Sequence, residues 1–233
     1  MALRIAIVGY GKMGRAVERL ASEYDCEVVR RLGSSENPNA GALLADQLKE
    51  VDVAIEFTTA AAAPGNLLKL VEAGLPVVSG TTGWTAELEA VRAVAKAKKA
   101  SVVWGPNFSV GLHHFRKIVG EAARRFAREE AYGVWGWEIH HAAKKDSPSG
   151  TLLSLQREIS QSGYTGSVSL AANRAGLVSG THEIGFDSAE DTITLRHMAK
   201  SRAGFARGAL RAARWILGRK GFFEFAEIVE ELD

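Results

Sequence analysis

The sequence predicts an α/β protein in which a doubly wound parallel sheet is followed by a second unit that mixes helices and strands. Three observations predict this class. Short apolar runs alternate with helical patterns through residues 3–104, a glycine-rich turn follows the first run, and alternating apolar residues appear after residue 167. With 233 residues, 46% of them hydrophobic, the chain is long enough for one large domain or two modest ones.

The first apolar run and the turn after it form a recognisable motif. Leu3–Val8 has the composition of a buried strand, the segment GYGKMG follows it, and Val17 and Leu20 continue with helical spacing. A strand, a glycine turn and a helix in this order form the Rossmann-like site that holds a dinucleotide pyrophosphate at the helix N-terminus. A tight turn without a ligand is the alternative. The residues predicted to contact the cofactor in this turn are Gly9, Tyr10, Gly11, Lys12 and Met13.

Two arginines near the end of the second predicted strand bear on the choice of cofactor. An acidic side chain at this place accepts a hydrogen bond from the ribose 2′-hydroxyl of NAD, but the strand at residues 27–32 offers Arg30 and Arg31. Guanidinium groups suit the 2′-phosphate of NADP, so NADPH is predicted to be preferred, with use of NADH left open. A pair of solvated arginines is the alternative.

Three more predicted strands follow, at residues 53–57, 76–79 and 101–104, with helical patterns at residues 66–72 and 85–98 between them. The carboxyl ends of such strands form the edge where a doubly wound sheet binds ligands. Small and hydroxyl-bearing residues there let the backbone approach a cofactor, although they also suit plain turns. The further candidate cofactor contacts are Thr58, Gly80, Thr81, Thr82, Gly105, Pro106, Asn107 and Phe108.

The rest of the chain predicts a second sheet with helices around it. Alternating apolar residues predict antiparallel strands with one face packed and the other exposed or covered by a partner subunit. A helix rich in alanine and arginine and a short tail close the chain. The predicted helices lie at residues 110–130, 152–159 and 205–217, and the predicted strands at residues 167–172, 182–186 and 193–197.

A stretch at residues 137–151 predicts an active site for an anionic substrate. His140 and Lys144 are four residues apart, so in a strand or a helix their side chains would lie on roughly one side. Lysine attracts an anion, and histidine can donate a proton near neutral pH. An ordinary polar loop is the alternative.

A helix start is predicted directly after these residues. Ser147 suits the N-cap and Pro148 the first helical position, because proline lacks the N–H that would have no helical partner there. Backbone amides at a helix start favour an anion. The amides expected to be free for it are those of Ser149, Gly150 and Thr151.

Charge and cysteine content narrow the function classes. A formal net charge of +2 does not by itself imply a nucleic-acid or membrane partner. The single cysteine, Cys26, excludes an intrachain disulfide and argues against a cysteine-rich metal site, and no metal is predicted. The sequence contains no apolar run long enough to span a bilayer, and a cytoplasmic location is predicted.

A series of segments along nearly the whole chain matches one family in order. The segments are residues 8–15 (VGYGKMGR), 56–58 (EFT), 80–83 (GTTG), 106–111 (PNFSVG), 138–151, 174–176 (RAG), 180–182 (GTH) and 201–209. With these motifs the sequence resembles dihydrodipicolinate reductase, also described as 4-hydroxy-tetrahydrodipicolinate reductase, of bacterial diaminopimelate and lysine biosynthesis. The resemblance implies an NAD(P)H-dependent oxidoreductase that acts on a small dicarboxylate.

The resemblance also implies an arrangement of domains. Residues 1–109, completed by residues 203–233, would form the dinucleotide-binding domain. Residues 110–202 would be an inserted α+β domain for substrate binding and oligomerisation, built on an open mixed or antiparallel sheet. The family pattern further implies that the inserted domains associate as a homotetramer.

Carried over by position, His140 resembles the catalytic acid and base of the family, and Lys144 its catalytic partner. A hydride added to the conjugated carbon of a cyclic imine leaves an electron-rich atom that needs a proton, for which histidine is better poised than lysine. Lys144 is therefore assigned first to a substrate carboxylate. The other predicted substrate contacts are His141, Ser149, Gly150 and Thr151.

Two other functions remain compatible with the sequence. One is a regulator that binds NADP(H) without turnover, which would need the cofactor turns but not His140 and Lys144. The other is a reductase of a different small carboxylate, which would keep every motif and differ only in the lining of the pocket.

Overall fold

The computed structural model describes residues 1–232, so Asp233, the last residue of the predicted dinucleotide-binding domain, lies outside the described residues. The strands are β1 (Leu3–Val8), β2 (Cys26–Leu32), β3 (Val53–Glu56), β4 (Val77–Ser79), β5 (Ser101–Trp104), β6 (Gly133–His140), β7 (Val168–Arg174), β8 (Thr181–Asp187), β9 (Thr192–Met198) and β10 (Gly221–Glu224). The α-helices are α1 (Lys12–Ala21), α2 (Ala63–Glu72), α3 (Leu88–Ala97), α4 (Val110–Phe126), α5 (Gly150–Gln161), α6 (Ala203–Trp215) and α7 (Phe225–Ile228).

The chain divides into two compact units. The first comprises Met1–Val110 and the residues from Arg202 onward, and the second comprises Gly111–Ser201. The sheet of the first unit has the strand order β10-β5-β4-β3-β1-β2, and each of these neighbouring pairs is parallel. The predicted doubly wound parallel sheet is confirmed.

Apolar side chains on both faces hold this sheet between two layers of helices. On one face, Ile5 and Ile7 of β1 belong to a core that includes residues of α1 and α6. On the other face, Ala6 and Val8 belong to a core that includes residues of α2 and α3. Strands buried on both sides have near-continuous apolar sequences. The short apolar runs could therefore be predicted as strands although apolar and polar residues do not alternate along them.

The tail of the chain contributes a strand that the sequence analysis missed. β10 pairs in parallel with β5 from Gly221 opposite Ser101 to Glu224 opposite Trp104, so it forms one edge of the sheet. The prediction of a plain tail was wrong because four residues are too few to show a period.

The second unit contains a four-stranded sheet of order β7-β6-β8-β9. β6 pairs in parallel with β7 and antiparallel with β8, and β8 pairs antiparallel with β9. The sheet is therefore mixed rather than purely antiparallel. The predicted hairpin of alternating strands at residues 182–186 and 193–197 is confirmed by β8 and β9.

One face of the mixed sheet carries the core of the second unit. Buried side chains of β6 and β8 pack with Phe115 and Val119 of α4 and with Leu152 and Leu155 of α5. The other face carries the half-buried Trp135 and Trp137 of β6 and the exposed side chains of β7. No helix within residues 1–232 combines the length and the apolar sequence that crossing a membrane requires.

Candidate active site

His140 lies at the last position of β6. Alternation along this strand turns His140 and Glu138 to the same face as the buried Val134. The ring of His140 is buried, and its Nδ1 lies 3.6 Å from Oε2 of Glu138. The ring of His182, on the neighbouring strand β8, stands edge-on to that of His140 with the centroids 5.0 Å apart. Two histidines and a carboxylate therefore share one buried site.

Glu138 is the centre of this polar cluster. Its side chain is fully buried, and it accepts hydrogen bonds from the Ser149 amide at 2.8 Å, from the Ser149 hydroxyl and from Nη2 of Arg174 at 2.8 Å. Nε2 of His182 lies 3.2 Å from Glu138 Oε2. Burial acts to raise the pKa of Glu138, but the hydrogen bonds from Ser149 and Arg174 outweigh burial and hold that pKa below its ordinary value. Glu138 is therefore an ionised buried carboxylate.

Burial and nearby charges make both histidines weak bases. Burial lowers the pKa of His140; the Glu138 carboxylate opposes this shift, while Lys144 and Arg174 add to it. Burial also lowers the pKa of His182, to about 4, with a further contribution from His140. Both rings are thus neutral at neutral pH. Nδ1 of each ring is buried and has no hydrogen-bond partner among the described residues.

Lys144 lies in the loop after β6 rather than in a strand or helix, so the argument from regular four-residue spacing was wrong. β6 ends at His140 because the chain turns there: the Lys144 amide donates to the His141 carbonyl at 3.1 Å. The ammonium group of Lys144 is bound to both carboxylate oxygens of Asp146, at 2.7 and 2.9 Å. The charge of Lys144 nonetheless contributes to lowering the pKa of His140, while that of Asp146 opposes the shift.

The start of α5 also differs from the prediction. Ser149, not Ser147, is the N-cap, because its hydroxyl accepts a hydrogen bond from the Leu152 amide at 3.1 Å, and Gly150 is the first helical residue. The Ser149 amide is not free for an anion, since it donates to Glu138. Ser149 therefore joins β6 to α5 instead of opening toward a ligand.

An anion does lie at this helix start, and it belongs to the chain itself. The hydrogen bond from Lys144, followed by smaller contributions that include the Gly150 amide, lowers the pKa of Asp146. Asp146 is exposed, as is Gly150, whereas Thr151 and His141 are half-buried. The predicted substrate contacts His141, Gly150 and Thr151 thus lie on the loop and helix start that flank His140.

Close backbone contacts shape the glycine turn after β1. Gly9 has a φ of +96°, and a Cβ there would lie 2.0 Å from the Phe57 carbonyl oxygen. A Cβ at Gly14 would lie 2.4 Å from the Gly9 carbonyl oxygen, so both positions require glycine. At Gly11, the N-cap of α1, a Cβ would meet nothing within 4 Å, and no side chain caps the helix amides. This open, uncapped helix start fits a pyrophosphate.

A second buried carboxylate, Glu56, shapes the turns after β3 and β4. It accepts hydrogen bonds from the hydroxyls of Ser79 at 2.6 Å, Thr81 at 2.8 Å and Thr58, and from the Thr58 amide at 2.9 Å. The hydroxyls of Thr58 and Thr81 are therefore engaged inside the protein. They position the backbone of the two turns at the sheet edge, where a cofactor would approach.

The other predicted cofactor contacts divide between surface and core. Lys12, Thr82 and Pro106 are exposed, and Met13 and Asn107 are half-buried. Phe108 is only 1% exposed, and its ring packs on that of Phe225 with the centroids 4.4 Å apart. Only the backbone of Phe108 remains for a ligand. Gly80 and Gly105 are positions where a Cβ would lie 2.0 Å from the Phe57 ring and 2.9 Å from the Phe225 Cβ, respectively.

The two arginines of β2 point to opposite faces of the sheet. Arg31 pairs with Ile7, on the α1 side, and Arg30 pairs with Ala6, on the α2 side. Both side chains are exposed, but Arg31 is held by Glu18 of α1, with its Nε 2.5 Å from Glu18 Oε1.

Sequence reasoning missed three residues that the fold brings together beside His140, which are Glu138, Arg174 and His182. It also missed Glu18, which pairs with Arg31 in the first unit. Glu138 and His182 stood inside recognised segments, and their chemical type could have marked them as partners of His140. The atoms of Glu138, His140 and His182 lie within 4.8 Å of one another, a group that could hold a metal ion. The Arg174 guanidinium already neutralises Glu138, so we interpret the group as one that sets the pKa values of the two histidines rather than one that binds a metal. The absence of a metal stays a prediction.

Comparisons with known proteins agree along the chain. The family descriptions "Dihydrodipicolinate reductase, N-terminus" and "Dihydrodipicolinate reductase, C-terminus" match residues 3–108 and 111–229. The 4-hydroxy-tetrahydrodipicolinate reductase of Christiangramia forsetii is 33% identical over 242 residues, covering 99% of each chain. The enzyme of the same name from Archaeoglobus fulgidus is 34% identical over 261 residues, covering 98% of this chain and 100% of its own.

A solved structure supports the fold independently. The dipicolinate-bound dihydrodipicolinate reductase from Paenisporosarcina sp. TG-14 superposes with a TM-score of 0.79 at 23% identity, covering 98% of this chain and 100% of that one. The resemblance read from the motifs is confirmed. With both halves matched and relatives above 30% identity covering almost its whole length, the chain belongs to the dihydrodipicolinate reductase family.

Proposed function

We propose that this protein is an NAD(P)H-dependent 4-hydroxy-tetrahydrodipicolinate reductase of diaminopimelate and lysine biosynthesis. Membership of the family supports an oxidoreductase that uses a nicotinamide cofactor. The observation that carries the proposal is the site around His140. A neutral, buried histidine stands there beside an ionised carboxylate and two cationic side chains, Lys144 and Arg174.

His140 is assigned the proton. The reduction consumes a hydride and a proton and releases the 4-hydroxyl group as water. In the free protein His140 is neutral, because burial and the charges of Lys144 and Arg174 outweigh Glu138. A bound dicarboxylate brings negative charge to this site and raises the pKa of His140, so that the histidine takes up the proton it later donates. Substrate binding thereby prepares the acid.

Lys144 and the start of α5 are assigned to a substrate carboxylate. In this structure Lys144 and the Gly150 amide act on the Asp146 carboxylate, and this contact supports the assignment of the loop to a group of the same kind. A substrate carboxylate would replace Asp146 on Lys144, and Thr151 and His141 lie on the same loop and helix start. Ser149 was predicted to contact the substrate, but its amide donates a hydrogen bond to Glu138. We therefore assign Ser149 to holding Glu138 in place rather than to binding the substrate.

The first unit is assigned to the cofactor, which supplies a hydride when bound. The fit rests on the turn from Gly9 to Gly14, where close backbone contacts require glycine and the start of α1 is open. Arg30 and Arg31 support binding of a 2′-phosphate, so NADPH is proposed as the preferred cofactor, with NADH as a second one.

The open face of the mixed sheet supports the proposed homotetramer. Trp135 and Trp137 are half-buried there, and Ala171 of the adjacent β7 is exposed. A partner subunit on this face would remove the exposed indole surface from water. A cytoplasmic location is proposed from the sequence and the biosynthetic role.

A steady-state assay tests the proposed function. Purified protein is mixed with the fresh condensation product of pyruvate and aspartate semialdehyde, and oxidation of NADPH and of NADH is followed by absorbance. Turnover is expected with both cofactors. Binding of NADPH without any turnover would contradict the proposal and favour a regulator, whereas turnover only with another small carboxylate would favour a reductase of shifted specificity.

His140→Gln tests the role of the proton donor in the same assay. We expect kcat to fall by roughly 10² to 10⁴, the range for loss of a general acid. His114→Gln is the matched control, because His114 is exposed on α4 and outside the proposed site. An unchanged kcat for His140→Gln would remove His140 from the mechanism.

A further inference from the structure

A second cluster of polar side chains, formed by Tyr10, Glu18 and Arg31, lies at the surface of the first unit. Nε and Nη2 of Arg31 both lie 2.5 Å from Oε1 of Glu18. The hydroxyl of Tyr10, from the glycine turn, donates to the other oxygen of Glu18. The three residues come from the turn after β1, from α1 and from β2, so the cluster joins the elements that would surround the adenosine end of a dinucleotide.

Only one of the two β2 arginines belongs to this cluster. The parallel register places Arg31 opposite Ile7, on the α1 side of the sheet, and Arg30 opposite Ala6, on the α2 side. Glu18 therefore reaches Arg31 and leaves Arg30 without a carboxylate from α1. The side chain of Glu18 is 26% exposed and that of Arg31 is 47% exposed, so both remain accessible to a ligand.

The carboxylate of Glu18 competes with a phosphate for the same guanidinium. A guanidinium binds carboxylate and phosphate through its fork of N–H groups, and in this structure Glu18 occupies two of them. The hydrogen bond from Tyr10, followed by those from Arg31, outweighs burial and lowers the pKa of Glu18, so its negative charge persists at neutral pH. A 2′-phosphate that approaches Arg31 is therefore repelled by the Glu18 carboxylate, which already binds the same guanidinium.

The same carboxylate favours the cofactor that lacks the phosphate. Dinucleotide sites selective for NAD carry an acid at the end of the second strand, where it accepts a hydrogen bond from the ribose 2′-hydroxyl. This chain has arginines at that place, and Glu18 supplies a carboxylate beside them from α1. Glu18, which suits a ribose 2′-hydroxyl, and Arg31, which suits a 2′-phosphate, are thus neighbours in this structure.

We propose that Glu18 is the specificity-determining residue for the cofactor, because it restrains Arg31 and so limits the preference for NADPH over NADH. The inference rests on the proposed function in one respect, that a nicotinamide dinucleotide binds at the glycine turn. It requires no turnover, since the adenosine end of the cofactor carries the difference between NADPH and NADH.

Equilibrium binding to four forms of the full-length protein tests the proposal: the wild type, Glu18→Gln, Arg31→Ala and the double variant. Dissociation constants for NADPH and NADH are measured by fluorescence, and those for adenosine 2′,5′-bisphosphate and 5′-AMP by calorimetry. Glu18→Gln is expected to raise the NADPH-to-NADH affinity ratio about tenfold, as expected when a charge-assisted hydrogen bond becomes available to the ligand. The nucleotide pair, which lacks nicotinamide, should show the same change.

The double variant separates competition from a general charge effect. If Glu18 acts mainly through Arg31, Glu18→Gln changes the ratio much less once Arg31 is alanine than it does in the wild type. Glu23→Gln is the matched control, because Glu23 also pairs with an arginine of this unit, Arg207, at 2.7 Å, with both side chains about half exposed. That variant should leave the ratio unchanged.

Several outcomes would overturn the proposal. A lower NADPH-to-NADH ratio in Glu18→Gln would show that Glu18 holds Arg31 in place for the phosphate. An unchanged NADPH-to-NADH ratio in Glu18→Gln would remove Glu18 as the determinant. So would a change in the ratio that is equally large whether Glu18→Gln is made in the wild type or in Arg31→Ala. Failure of the wild type to bind either dinucleotide would instead contradict the proposed function, so the two failures are distinguishable.

Discussion

At the scale of single residues, His182 links the stability of the second unit to pH. In the folded protein its pKa is lowered to about 4 by burial, with His140 adding to the shift, whereas an unfolded histidine has a pKa near 6.5. The folded state therefore disfavours the proton. The stability that comes from keeping His182 neutral is fully present above about pH 6.5 and is lost as the pH falls toward the folded pKa.

We expect the free energy of unfolding to fall by about 1.5 kcal/mol between pH 6.5 and 5 from His182 alone, because the slope approaches its limit of about 1.36 kcal/mol per pH unit only below the unfolded pKa. Urea unfolding at a series of pH values measures this slope. His182→Gln should flatten the slope, because glutamine takes up no proton, while His114→Gln, at an exposed position of α4, should leave it in place. The same slope in His182→Gln as in the wild type would refute this linkage.

The proposal that His140 donates the proton leads to a separate prediction about the pH dependence of catalysis. Burial, with Lys144 and Arg174, lowers the pKa of His140 in the free protein, and the proposed dicarboxylate raises it in the complex. The pH dependence of kcat/KM reports the free enzyme and that of kcat reports the complex. We expect kcat/KM to decline with rising pH at a lower pH than kcat does. If the profiles of kcat/KM and kcat, measured from pH 5 to about 9, coincide, substrate binding does not raise the pKa of His140.

At the scale of elements, two glycines of α6 test how tightly this helix packs against the rest of the first unit. A Cβ at Gly208 would lie 1.9 Å from the Phe108 carbonyl oxygen, whereas the nearest atom to a Cβ at Gly204 is the Ser109 hydroxyl, at 4.0 Å. Gly208→Ala should destabilise the protein by about 2 kcal/mol or more, because backbone must move. Gly204→Ala on the same helix should be neutral or stabilising by up to about 1 kcal/mol.

Chemical unfolding of the two alanine variants, followed by circular dichroism, measures both changes. Equal stabilities would mean that α6 shifts freely. The comparison also concerns the candidate cofactor edge, since Phe108 follows β5 in the turn where the predicted contacts Gly105 and Asn107 lie.

Elements with a strong local signal could be predicted from the sequence, and those defined by pairing could not. The run Leu3–Val8, the glycine turn after it and the hairpin of β8 and β9 follow from composition and period. β10 is only four residues long, and its strand character comes from lying beside β5. The parallel pairing of β6 with β7 likewise depends on the long connection through α5, which no local pattern specifies.

The same distinction holds inside the candidate site. His140 and Lys144 stood out by chemical type within one continuous stretch. Their partners Arg174 and His182 are distant in sequence and become neighbours through the pairing of β7 and β8 with β6. The cap at Ser149 was misplaced by two residues, because the tie between Ser149 and Glu138 is a tertiary contact that propensity cannot register.

At the scale of the whole molecule, the open face of the mixed sheet predicts how assembly can be broken. Ala171 of β7 is exposed on this face and pairs with Trp137. If copies of the chain associate through this surface, Ala171→Arg buries a charge without a partner and should reduce the mass in solution below that of a tetramer. Ala189→Arg, in the exposed turn after β8, is the matched control and should leave the mass unchanged.

Light scattering coupled to size-exclusion chromatography measures the mass of each form. A wild type that is already monomeric would contradict the homotetramer. A tetrameric Ala171→Arg would place the assembly surface elsewhere on the molecule.

The strand β10 and the helix α6 have a consequence for how the protein is made. Both lie after the second unit in the chain, yet β10 forms an edge of the first unit's sheet and α6 supplies the buried Ala209 and Leu210 to its core. On the ribosome, β1 to β5 emerge long before these elements. The apolar face that contains Ile5 and Ile7 has α1 against it from early on but lacks the cover of α6 until that helix has been made, by which time the second unit already has all its residues. We therefore expect the second unit to fold first on the ribosome, and the first unit to be completed only after α6 and β10 have emerged.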